Sequence, residues 1–123
     1  MTKHLEKPGE YDYDLRNDIF FFKVKDREYS HSVELNNFVI DFDEEDFIVG
    51  LQIFHASEFF KLAKEVLRQV KGFKMNAKID GGEIQVNLGF MSVQRNKTIH
   101  HSPTLVTSVS PESPNTNVIS VMA

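Results

Sequence analysis

The residues best suited to chemistry are the carboxylates Asp41, Asp43, Glu44, Glu45 and Asp46, crowded between two apolar runs. Clustered oxygen donors suit a hard divalent cation such as calcium or magnesium. The candidate metal ligands are Asp41, Asp43 and Glu45, with His55 as a nitrogen donor further along. The spacing does not fit a calcium loop. Counted from Asp41, the sixth position is Asp46, where glycine is needed, and the twelfth is Gln52, which cannot replace a bidentate glutamate. The simpler reading is a solvated hairpin tip whose charges discourage edge-to-edge aggregation, and the sequence favours it.

The other candidates fare no better. His55 falls at the expected start of a helix, where exposed N–H groups disfavour an imidazolium. A neutral ring there could accept a proton or bind a metal, but a surface or capping histidine is the simpler account. His100 and His101 are adjacent, so on a strand they point to opposite faces and cannot chelate one ion together. His31 has no evident partner. Ser57 and Ser102 each lie near a histidine, yet no nucleophile-elbow glycines surround either, and Ser57 reads as an N-cap. Gly81-Gly82 precedes a strand and so is no phosphate loop. Lys61, Lys64, Arg68 and Lys71 are diluted by Glu58 and Glu65 and read as a solvated face. No catalytic residue and no cofactor is assigned.

Composition narrows the class. The chain has 123 residues, a net charge of −4 and no cysteine. That mild acidity argues against a nucleic-acid binder, which carries a basic stripe. Without cysteine there are no disulfides and no thiolate-held zinc. The start has no apolar core for a signal peptide and no run reaches transmembrane length, so the expectation is a cytoplasmic protein.

The elements that must position these residues are mostly strands. Residues 1–10 read as a flexible lead-in, 11–101 as one α+β domain, and 102–123 as a Ser/Thr/Pro-rich tail. Strands are expected over 19–24, 29–35, 38–42 and 47–54. In the acidic hairpin a two-residue Glu44-Glu45 loop pairs Phe42 with Phe47, Ile40 with Val49 and Phe38 with Leu51. A longer loop with Asp46 left-handed shifts the register by one, and the sequence leaves both open. Residues 57–71 read as the one main helix, with Phe59, Leu62, Ala63, Val66, Leu67 and Val70 at helical spacing. A second hairpin turns at Gly81-Gly82 and pairs Asp80 with Glu83, Ile79 with Ile84, Ala77 with Val86, Met75 with Leu88 and Phe73 with Phe90. Leu105, Val106 and Val109 suit a short edge strand, and 118–122 another. The fold expected is an antiparallel β-meander with one helix packed on one face.

Three segments then fit a pattern in order: Tyr13-Asp14-x-x-x-Asp18-Ile19-Phe20-Phe21, Val39-Ile40-Asp41-Phe42-Asp43, and Ile48-Val49-Gly50-Leu51-Gln52-Ile53 closing in Ala56-Ser57. This resembles the small proteins grouped as domain of unknown function 2283, over roughly Tyr13 to Ser57. Asp46 stands where that family's acidic turn usually has glycine, and His55 where an acid usually precedes alanine-serine. The resemblance implies a small α+β fold and carries no activity or site residues.

Phenylalanine occurs eleven times, and Phe20, Phe21 and Phe22 are consecutive. Side chains alternate along a strand, so rings fall on both faces, and one helix covers one face. The expected function is a non-enzymatic structural or interaction module that self-associates as a homodimer. The rival is an enzyme or metal-dependent site using His55 and the Asp41–Asp46 carboxylates.

Overall fold

The computed structural model describes residues 2–122. Ten strands and two short helical turns follow in order. They are β1 (Lys3–Asp14), β2 (Ile19–Val24), β3 (His31–Leu35), β4 (Phe38–Phe42), β5 (Ile48–Phe54), α1 (Ala56–Phe60) and α2 (Lys64–Leu67). The chain continues with β6 (Lys71–Asp80), β7 (Glu83–Gln94), β8 (Lys97–His101), β9 (Thr104–Ser108) and β10 (Thr116–Met122). One sheet holds every strand, in the order β3-β4-β5-β2-β1-β10-β6-β7-β8, with β9 beside the first half of β7. The expectation of an α+β meander with a main helix is therefore wrong. The protein is mostly β, antiparallel except for the pair β1–β10.

The sheet curls over a single core. Its two ends approach each other: Leu35 and Phe38 share a cleft with Leu105 and Val106, and Val33 and Phe42 share another with Val109. Inside, Phe73 of β6 lies 4.9 Å from both Phe20 and Phe22 of β2, ring centre to ring centre. Phe60 stands edge-on to Phe20 and to Phe90 of β7. Phe20 and Phe22 are thus core residues, while Phe21 is half-buried on the outer face.

The helix expected over 57–71 is two separate turns. Lys61 adopts a left-handed conformation (φ 57°) and ends α1, and Ala63 is extended. Helical spacing of apolar residues arises equally from two short turns that aim Phe60 and then Leu67 into one end of the core. Segments this short form only through such packing. The Tyr11 hydroxyl donates to the Val70 carbonyl and ties the end of this segment to β1.

Both chain ends are also sheet. Residues read as a lead-in form β1, which pairs with β10 from Lys3 to Gly9 and with β2 from Gly9 onward. The apolar stretch 118–122 lies in β10, which is central and not an edge strand, between β1 and β6. The Gly81-Gly82 hairpin has the expected register from Asp80–Glu83 through Met75–Leu88 to Lys74–Gly89, and the register shifts between Lys74 and Lys71. The acidic hairpin takes the longer loop: Asp46 is left-handed (φ 63°) and Phe42 pairs with Ile48. A bulge then moves Ile40 opposite Leu51.

Candidate functional site

The acidic turn is built from the inside. Asp43 is buried, and its Oδ1 accepts the Glu45 N–H at 2.9 Å and the Phe47 N–H at 3.0 Å. Its Oδ2 lies 3.3 Å from Arg27 Nη1, which also lies 3.8 Å from Glu45 and sits over the Phe47 ring. A carboxylate holding two backbone donors and a guanidinium fixes a turn, as side-chain mimics of backbone hydrogen bonding do. Asp41 belongs to a different face. It accepts the Ser32 hydroxyl at 2.6 Å and lies across from Gly50, where a Cβ would come within 2.7 Å of its Oδ2. A side chain at position 50 would displace the Asp41 carboxylate.

The sequence-derived metal set does not converge. Glu44 and Glu45 are exposed, and Asp46 is 3.9 Å from His31, itself stacked on Phe42. His55 is exposed and left-handed (φ 53°) at the start of α1, where its side chain makes no capping bond. Among the described residues no three of His, Asp or Glu gather as metal ligands.

A tighter constellation joins Tyr13, Asp18 and Ser57. Asp18, left-handed in the β1–β2 turn, accepts the Tyr13 hydroxyl at 2.6 Å, the Ser57 hydroxyl at 2.6 Å and the Ser57 N–H at 3.0 Å. Its carbonyl accepts the Ala56 N–H. Burial pushes the Asp18 carboxyl up, but the bonds from Ser57 and Tyr13 outweigh it and hold the group below its usual range. Burial first, then the bond to Asp18, pushes the Tyr13 phenol far above its ordinary value. A phenol kept protonated and a serine donating to a carboxylate make a latch and not a nucleophile pair. Ser57 is therefore not the N-cap; Asp18 caps α1 from another element. The motif residues signalled this cluster, but nothing local showed that they meet.

A second missed contact is Ser92 Oγ, 2.8 Å from His101 Nε2, with Gln94 Nε2 donating to the same oxygen at 3.1 Å. Ser92 is buried and His101 stacks on Phe90, so this pair closes the end of the β7–β8 hairpin. A nucleophile sealed from solvent meets no substrate. Ser102, the other serine considered, is exposed and lines a groove on the outer face. No helix is long and apolar enough to cross a membrane among the described residues.

The site and fold define a small β-sheet domain whose motif side chains hold turns. The chain belongs to the family described as "Protein of unknown function (DUF2283)", which matches residues 10–57. It is 35% identical over 89 residues to a protein of Methanosarcina mazei named "Putative hypoxanthine phosphoribosyltransferase", covering 72% of each chain. It is 30% identical over 89 residues to an uncharacterized protein of Methanocaldococcus jannaschii, covering 72% of this chain and 77% of the relative. No solved structure matches. The matched segment 10–57 runs from within β1 to the start of α1, so the family pattern describes the half-sheet β3-β4-β5-β2-β1. Of its polar members, Tyr13, Asp18, Asp43 and Ser57 hold turns, and Asp41 bonds Ser32 across the β3–β4 ladder.

Proposed function

We propose that this chain is a non-enzymatic interaction module that associates with a second copy of itself. The observation that carries the reading is that the sheet ends without joining: β3 and β9 face each other across clefts but form no ladder, and β8 is unpaired on its outer side. Among the described residues β3 pairs only with β4, while β8 and β9 pair only with β7. Unpaired strand edges offer backbone donors and acceptors to another chain. Apolar side chains lie on these edges and on the outer face: Val106 is 61% exposed, Val93 55% and Val121 50%. Neither edge is long, and β9 carries no charge to repel a partner.

The rival reading, an enzyme or metal site, has less support from the positions of its residues. Asp41 and Asp43 have partners inside the chain, and His55 stands apart from them. The name carried by the Methanosarcina relative would imply transfer of a phosphorylated sugar. Phosphate groups are held where a glycine-rich loop enters a helix N-terminus. The two helices here span five and four residues, and no glycine-rich loop enters either. That activity is not carried over.

Sedimentation velocity or light scattering at micromolar concentration tests the proposal. A homodimer is expected. A chain that stays monomeric at high micromolar concentration would sink it.

A further inference from the structure

The last strand holds the sheet together. β1 is the edge of the half-sheet β3-β4-β5-β2-β1, and β6 is the edge of the half formed by β6, β7, β8 and β9. Among the described residues no ladder joins the two halves except through β10, which pairs in parallel with β1 and antiparallel with β6. The fold is therefore two sheets with a strand-shaped slot between them, filled by the last strand.

The guest fits that slot imperfectly. Thr116, Val118 and Ser120 point inward and are buried. Thr116 donates to the Asp46 carbonyl, but the Ser120 hydroxyl is buried without a partner. Ser120 pairs with Lys7, and its Oγ reaches toward Gly9, where a Cβ would collide with it and with the Phe22 ring. On the outward face of the same strand, Ile119 and Val121 are exposed.

The connection into β10 runs from the end of β9 at Ser108 to Thr116. Residues 109–115 wrap the tip of the Gly81-Gly82 hairpin. Val109 N–H donates to the Gly82 carbonyl, and Gly81 N–H donates to Asn115 Oδ1. Pro111 and Pro114 lie in this loop and bias Ser110 and Ser113 toward extended backbone. A loop with that bias can fold back over its own hairpin or run on to another molecule.

We infer that β10 is the exchanged element: in the dimer each chain's β10 fills the slot between β1 and β6 of the other. This rests on the self-association proposed above but places the contact in the slot between β1 and β6, with the edges at β3, β8 and β9 left outside it. The intramolecular and exchanged forms make the same ladder contacts, so exchange needs no new interface to be complementary.

The natural chain lacks cysteine, which makes a clean trap possible. Ile119 lies directly opposite Asn76 on the outer face, and facing residues of an antiparallel pair are within disulfide reach. The double variant Ile119→Cys with Asn76→Cys is oxidised and run on a non-reducing gel, with light scattering on the same sample before oxidation. Asn117→Cys with Lys78→Cys, also a facing pair, serves as the second trap should the first fail to fold. A solution dimer that becomes a covalent species of twice the 14.2 kDa monomer supports exchange. A solution dimer whose disulfides stay within single chains overturns exchange and leaves self-association standing. A solution monomer overturns both.

Discussion

Asp18 is the residue on which the family pattern turns. It accepts three hydrogen bonds, from side chains and backbone that lie 5 and 39 positions away. Asp18→Asn should destabilise the protein by about 1–3 kcal/mol at neutral pH, read by urea unfolding. Because the carboxyl is held below its ordinary value, its contribution is present above the unfolded value of about 3.9 and fades as pH falls through the folded one. The wild type should therefore lose stability more steeply than Asp18→Asn as pH drops below about 4. Parallel acid limbs in the two proteins would show that the latch is not charged. Asp43 and Asp41 act in the same way on nearer partners, so calcium, magnesium or manganese should leave the melting temperature unmoved. A cation at a hundred times its dissociation constant would stabilise by about 2.7 kcal/mol, well within the range of a melt. A saturable rise removed by Asp43→Asn with Glu45→Gln would restore the metal reading.

Among the elements, legibility followed locality. The β6–β7 hairpin could be read because Gly81 and Gly82 both have positive φ, and alternate apolar residues marked its inner face. The acidic hairpin was ambiguous by one residue, and Asp46 in a left-handed turn decided it, with a bulge that no pattern announced. The helix failed because apolar spacing cannot distinguish one rod from two turns separated by a left-handed Lys61. The carboxylates of the turn were visible as a cluster. Their separation onto an inner and an outer face was not, since that depends on pairing with β3 and β5. Leu67 is fully buried all the same, so Leu67→Ala should cost about 2–5 kcal/mol, whereas Lys64→Ala should stay within roughly 0.5 kcal/mol. Small and equal effects in chemical denaturation would mean that α2 does not pack on the core. Ser120→Ala should raise stability by up to about 1 kcal/mol, because it deletes a buried hydroxyl that has no partner. A lower melting temperature in that variant would mean that the hydroxyl is satisfied.

At the scale of the molecule, the order of strands separates what is near in sequence from what is near in space. β1 meets β10 across almost the whole chain, a pairing with no local trace in either segment. The aromatic excess that suggested an uncovered face is largely internal: Phe20, Phe22, Phe60, Phe73 and Phe90 bring the two half-sheets together from within. Those rings alone do not replace a ladder. A chain ending at Asn115 should lose its single cooperative thermal transition, measured by circular dichroism and calorimetry. Retention of one sharp transition near the wild-type temperature would show that β10 is dispensable for the fold.

The position of β10 also sets a timetable. Chains are made from the amino end at about 5–20 residues per second, and early segments fold while later ones are still missing. Every other strand of this sheet is made before β10, so the facing edges of β1 and β6 wait open while the hairpins around them form. Closure by contacts so distant in sequence is slow compared with hairpin formation. Until β10 docks, every copy of the chain carries the same open slot. The same geometry that makes the finished sheet continuous leaves its final closure to the pairing most distant in sequence.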